Sequence, residues 1–249
     1  MLDAPHALLA CFGAFYERVA AVKQAAAGGR LESLLAEPGV APPASGAELA
    51  ARVHAGLLGF LEHQQREVAA HATGGQLKAY RAVLKLMAVV ADEALLLDLS
   101  WAGRGPWFDM LLETRLFHSR DGGSWVFELA DRLIGAGGRN AVERDVAAVL
   151  LFALQLGFRG RLRGAGAASE LQRYRSALAR LAGDAVPAAR HGFPQAYAHG
   201  ARGAGPDRHA PLAPWLRVAS AACAACLALS ALCWYWTMAG LLPRLAFTS

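Results

Sequence analysis

The stretch VASAACAACLALSALCWYWTMAGLL, residues 218–242, contains no charged side chain and is closed at its two ends by Arg217 and Arg244. A helix needs about 20 apolar residues to cross the hydrocarbon core of a bilayer, so this run is long enough to span one. Trp215 stands at one end and Trp234, Tyr235 and Trp236 near the other. On a helix rising 1.5 Å per residue that separation is about 32 Å, which sets the rings at two interfaces. A single transmembrane helix over 215–242 is therefore expected. Arg202, Arg208 and Arg217 precede it and Arg244 alone follows; the bias of positive charge toward the cytoplasm then places the large amino-terminal part inside. The short tail 243–249 is too small to fold, and no module is expected on the far side. At the other end, MLDAPHALLACFGAFYERV carries Asp3 where a secretory leader would carry positive charge, so no leader is expected.

Within the run, Ala219, Cys223, Cys226, Ser230, Cys233 and Thr237 recur at spacings of four and three. Such a stripe of small or weakly polar side chains lets another helix approach closely, through self-association or against a partner's membrane helix. An alanine-rich run also produces stripes of this kind by composition alone. Three of the four cysteines lie in this run, where they act as small apolar residues, and no disulfide framework is implied. The Cys223-x-x-Cys226 pair lacks the further ligands of a zinc or redox site.

The rest of the chain reads as helical. Ala, Leu and Gly dominate and β-branched residues are few, which favours helices over sheets. Apolar periodicity places helices at 5–27, 47–72, 76–97, 106–117, 125–134, 141–158 and 167–181, with no convincing alternating strand between them. The breaks carry their own residues. AAAGGRLESLLAEPGVAPPASG opposes helix continuation, and Asp121-Gly122-Gly123 marks a tight turn. After about residue 183, DAVPAARHGFPQAYAHGARGAGPDRHAPLAP is rich in Pro, Gly, Ala and Arg. Four parts are expected: a cytoplasmic helical domain 1–183, a linker 184–214, the span 215–242 and the tail 243–249.

One stretch of the helical part, LKLMAVVADEALLLDLSW, holds two adjacent acids in an apolar setting. At about 100° per residue, Val83, Leu86, Met87, Val90 and Ala94 share one face while Leu84, Val89, Leu95 and Leu96 fill much of the remainder, as in a helix buried on most sides. Asp92 falls opposite the main face and Glu93 on its flank. Adjacent residues point in different directions, so the two cannot form one catalytic dyad. A buried carboxylate needs a cation or several donors, and Arg104, Arg115, Arg161 and Arg163 are the candidate cations.

From this point the residues resemble a known family. VVADEALLLDLSWAGRGPWFDMLLETRLFHSRDGGSWVFELADRL, followed by LLFALQLGFRGRLR, is similar to the DotU/IcmH family, which includes the TssL inner-membrane subunits of bacterial type VI secretion systems. The matching features are the Asp92-Glu93 pair, Trp101, Trp107, Leu111-Leu112, Phe117-His118, Gly122-Gly123, Phe127-Glu128-Leu129 and Leu156-Gly157-Phe158 running into Gly160-Arg161 and Arg163. Two departures stand out: Ala148 where the family usually has Glu, with Asp145 one turn earlier as a substitute, and Leu162 where it has an aromatic. The resemblance implies an all-α protein, a cytoplasmic hook of two packed three-helix bundles plus one carboxy-terminal membrane helix. It implies no enzymatic activity and no cofactor. The implied partners are a TssM-like inner-membrane protein, a TssK-like baseplate subunit and, indirectly, a TssJ lipoprotein; the family also serves type IVB secretion. The cleft between the bundles is the implied docking surface, with Asp92, Glu93, Trp101, Trp107 and His118 lining or supporting it, and Gly122 and Gly123 as a structural turn.

Other chemistry has less to stand on. His63, Glu67 and His71 repeat every four residues and offer a metal site or an exposed polar stripe. The FRGRLRG arginines offer a phosphate patch or an acid-pairing face, and no nucleic-acid module accompanies them. The net charge of +5 comes from scattered arginines. No phosphate-binding glycine loop or nucleophile elbow is present, so a membrane-anchored helical enzyme or metal protein remains the alternative class. If the run 218–242 spans a bilayer, alkaline carbonate leaves the full-length chain in the vesicle pellet and releases a chain lacking 215–242; recovery of the intact chain in the supernatant would overturn the span.

Overall fold

The computed structural model describes residues 6–183 apart from Glu37 and Ala165; no strand occurs among them. The expected span, its stripe from Ala219 to Thr237, the linker and the tail lie outside the described residues. Among the described residues no helix is long and apolar enough to cross a membrane.

The helices are α1 (Ala7–Ala27), α2 (Leu31–Leu34), α3 (Gly46–His71), α4 (Gly74–Glu93), α5 (Arg104–Trp107), α6 (Leu112–Phe117), α7 (Gly122–Ala136), α8 (Ala141–Gln155) and α9 (Ala167–Ala182). Three of them start on local caps. Ser45 Oγ accepts the Glu48 N–H, Thr73 and Gln76 form a capping box, and Asn140 Oδ1 accepts the Glu143 N–H. Each satisfies donors that the first turn of a helix leaves open.

Several bounds differ from the periodicity reading, each for a physical reason. The break after α1 contains the short α2, held by buried Leu31. Helix α4 widens after Glu93 into a π turn over Ala94–Asp98. The helix expected over 106–117 divides in two, because Leu111 is extended and the amides of Leu112 and Glu113 begin a new helix on the carboxylate of Asp92. Gly122 and Gly123 form no free-standing turn: they are the first two residues of α7. A Cβ on Gly122 would overlap Val89 Cγ2 and lie 2.7 Å from Glu113 Oε2, so the close approach of α7 to α4 requires glycine there. Helix α8 stops at Gln155, three residues before its expected end, and Gly157 takes φ 105°, a conformation that favours glycine.

Helices α1, α3 and α4 touch one another pairwise, and so do α7, α8 and α9. Helices α1 and α4 both reach α8, and α4 also meets α7, so the two triplets share one continuous core. Helix α8 is buried without interruption from Asp145 to Leu154, and Phe152 meets the edge of the Phe12 ring at 5.8 Å. A small polar knot ties the first triplet together. Gln64 of α3 donates to the Cys11 carbonyl of α1 and accepts from Tyr80 of α4. All three groups are buried, so each needs its partner.

Gly122→Ala should lower the stability of residues 1–183 by about 1–3 kcal/mol, the usual cost of overpacking, read as a lower urea midpoint. Gly135→Ala in the same helix, where a Cβ meets nothing within 4 Å, should leave the midpoint unchanged or raise it by up to ~1 kcal/mol equivalent. Equal midpoints for the two variants would remove the steric account of Gly122.

Candidate functional site

The acidic pair ends α4, and each acid reaches a different segment. Asp92 is buried; its Oδ1 accepts from Trp107 Nε1 at 3.0 Å and from the Leu112 N–H at 3.0 Å, and its Oδ2 accepts the Glu113 N–H at 2.9 Å. Leu112 and Glu113 open α6, so Asp92 supplies from α4 the cap that α6 lacks locally. Burial pushes the Asp92 carboxyl up to about 7, aided by the nearby charge of Glu113, while the two amides and the indole pull the other way.

Two tryptophans extend this anchor. Trp107 is fully buried, with the His54 ring 5.6 Å away and the Trp101 ring 6.1 Å away. Half-buried Trp101 donates its indole N–H to the Leu95 carbonyl in the π turn, at 2.9 Å. The chain from the π turn to α6 is thereby fastened to the end of α4 at successive points.

Glu93, turned about 100° from its neighbour, binds the connection between α8 and α9. Its oxygens accept the Arg159 and Gly160 N–H groups at 2.7 and 2.8 Å, and Arg163 Nη2 lies 2.6 Å away. Gly160 adopts φ 49°, and a Cβ there would come within 2.6 Å of the Gly123 carbonyl oxygen. That carbonyl accepts the Arg161 N–H, so the loop that holds Glu93 also holds the start of α7. Burial raises the Glu93 carboxyl, opposed by the two amides and by Arg163.

Of the four candidate cations only Arg163 pairs with this acidic couple, through Glu93; Arg161 stacks over Phe127, and Asp92 takes neutral donors instead of a cation. Periodicity put Asp92 on the side away from the core. The structure buries it because α5 and α6 fold over that side of α4.

His118, by contrast, is exposed, and it ends α6 in the left-handed region at φ 54°. His63, Glu67 and His71 are exposed, His71 Nδ1 lies 3.1 Å from the Glu67 carbonyl, and no metal-binding group of three or more such residues occurs among the described residues.

Two further acids, Glu113 and Asp145, are buried. Glu113 accepts from Ser119 Oγ at 2.8 Å and faces Lys85 Nζ at 3.5 Å. Lys85 in turn binds Asp121 at 2.8 Å and lies over the Trp125 ring. The only signal for Glu113 was its place in LLETRLF, an acid amid apolar neighbours. Asp145, noted as a family substitute, is buried in α8 and caps α1 instead: its Oδ2 accepts the Leu8 N–H at 2.9 Å.

A cleft of about 670 Å³ opens between the first half of α4, α7 and the start of α8. None of Asp92, Glu93, Trp101, Trp107 or His118 is among the residues that line it. The last lining residue of α4 is Ala82, and Asp92 lies about 15 Å farther along the helix. The acids are structural clasps at one end of α4, and the cleft is at the other.

The model of one protein family, described as type VI secretion system protein DotU, matches residues 43–238, well over half of the chain. No curated protein and no solved structure gives a match.

The buried acids give stability a definite pH dependence. Asp92, Glu93 and Asp145 are all raised in the folded state, each chiefly by burial. Between their ordinary values near 4 and their folded values, the native state holds more protons than the unfolded chain, so stability falls as pH rises through that window. Burial and Arg115 lower His54, which acts in the opposite sense near its ordinary value. Three acids against one histidine give a higher urea midpoint for residues 1–183 at pH 5 than at pH 7.5. Asp92→Asn should flatten that slope and cost about 1–3 kcal/mol, because the amide turns a donor toward a donor; an undiminished slope would show that Asp92 does not carry it.

Proposed function

This chain belongs to the type VI secretion system protein DotU family, and from that premise we propose that it is a tail-anchored structural subunit of the secretion machine's membrane complex. The family is one of secretion-system components, with no catalytic role attached to it. In this reading residues 1–183 form a cytoplasmic hook of two three-helix bundles, 184–214 a tether, 215–242 the inner-membrane anchor and 243–249 a short periplasmic tail. The domain grips a TssK-like baseplate subunit and a TssM-like inner-membrane protein, with a TssJ lipoprotein reached indirectly. The stripe of Ala219, Cys223, Cys226, Ser230, Cys233 and Thr237 is the contact face of the anchor.

The observation that carries the reading is the extent of the family match. It begins before α3, runs through every later helix and continues through most of the uncharged run, so helical domain and apolar run belong to one family pattern. The description names the type VI machine, which favours it over type IVB. The geometry of the acids adds support of another kind. Their oxygens are occupied by amides, an indole and a guanidinium, an arrangement that makes a rigid surface rather than a reacting group. Asp92, Glu93 and Trp107 serve docking by holding the scaffold; half-buried Trp101 and exposed His118 are the expected contact residues.

Affinity purification of the full-length chain from its own bacterium should recover TssM-like and TssK-like proteins, and contractile-sheath genes should lie beside its gene. Asp92→Ala with Glu93→Ala should abolish capture together with a fallen thermal midpoint. His118→Gly removes a contact and relieves the left-handed backbone, so it should weaken capture at an unchanged or higher midpoint. Capture of the TssK-like protein that survives deletion of residues 1–183 would overturn the reading.

A further inference from the structure

The cleft at the first half of α4 takes part in none of the clasps at its other end. Its floor is apolar, with Ala79 and Ala82 from α4, Leu129 and Leu133 from α7, and Val146 from α8. Its rim carries Lys78 on α4 and Arg132 on α7, both exposed and neither ion-paired among the described residues. The one carboxylate in the lining, Glu143, is turned to its own helix start, where Oε2 accepts the Arg139 N–H at 2.8 Å. With Lys78 and Arg132 against Glu143, the lining carries an excess of positive charge, and neither cation is ion-paired among the described residues.

The polar groups at the cleft are already engaged. Thr73 and Gln76 form the capping box of α4, and Asn140 caps α8. A small polar ligand is oriented by converging donors and acceptors, and those groups here close helix ends. No strand edge exists among the described residues, so an extended peptide has no ladder to join. What the walls do offer is a trough between helices, which suits apolar side chains inserted at helical spacing, with flanking charges of the opposite sign to Lys78 and Arg132.

We propose that this groove receives an amphipathic helix from a protein partner, with apolar residues at i, i+4 and i+7 and carboxylates beside them. The inference rests on the reading of the domain as a docking subunit and adds the chemistry of the docked element and its place, away from the acidic pair.

The test uses the full-length chain in detergent micelles and two fluorescein-labelled designed helices. One has leucines at i, i+4 and i+7 flanked by glutamates; its twin has lysines in place of the glutamates. Fluorescence anisotropy should show the acidic helix binding at least tenfold more tightly than its twin. Lys78→Glu with Arg132→Glu should reverse that preference at an unchanged thermal midpoint, since both side chains are exposed. Ala82→Trp, which fills the floor, should abolish binding of either helix. Equal binding of the twins, or binding indifferent to the double charge reversal, would overturn the proposal. So would concentration-dependent self-association of the chain that the double reversal removes, because a second copy would then be the occupant. Absence of peptide binding alongside intact capture of TssM-like and TssK-like proteins would sink the groove and leave the docking reading standing.

Discussion

A helix begins with amide groups that no carbonyl of its own can reach, and in this domain three segments leave that need to a carboxylate on a distant helix. Asp92 serves α6, Glu93 serves the turn at Arg159 and Gly160, and Asp145 serves α1. Each acid bears a desolvation cost that its donors partly offset. The arrangement is directional: a buried carboxylate set against a few amides fixes where a segment starts and how it is turned. Apolar burial, whose driving force is non-directional, supplies the stability around it.

The two neighbours on α4 show why adjacency matters. Being a third of a turn apart, they hold segments on two sides of one helix, α5 and α6 by one and the α8–α9 connection by the other. The second of these also reaches α7, through the Gly123 carbonyl. One short acidic step in the sequence thus joins elements that the chain visits at widely separated times. In the proposed docking role, rigidity of this kind serves function directly, because a preorganised surface gives up less freedom on binding.

Helix content was legible from periodicity because apolar residues recur along α1, α3, α4, α8 and α9 at helical spacing. The division of 106–117 was not, since Leu111 breaks no pattern and the cause lies in Asp92, a residue on another helix. The Gly122-Gly123 pair carried the right signal with the wrong meaning: glycine marks close approach as well as turns, and only the position of Val89 separates them. Likewise the importance of Asp92 and Glu93 was visible as charge in an apolar stretch, while their partners were not, because backbone amides leave no mark in a sequence. The pairing of Glu93 with Arg163 was within reach, since opposite charges are visible as letters. A cleft between bundles was implied by the family resemblance, but the lining of the one described here could not be foreseen, as its floor is made of residues that read as ordinary core.

The clasp on α1 also sets a timetable for synthesis. The Leu8 amide and the Asp145 carboxylate are separated by 137 positions, and translation proceeds at roughly 5–20 residues per second. Helix α1 therefore waits about 7 to 27 s for the group that closes its first turn. During that interval its apolar face has no finished core to enter, which makes the nascent chain, more than the mature domain, the stage at which chaperone protection counts.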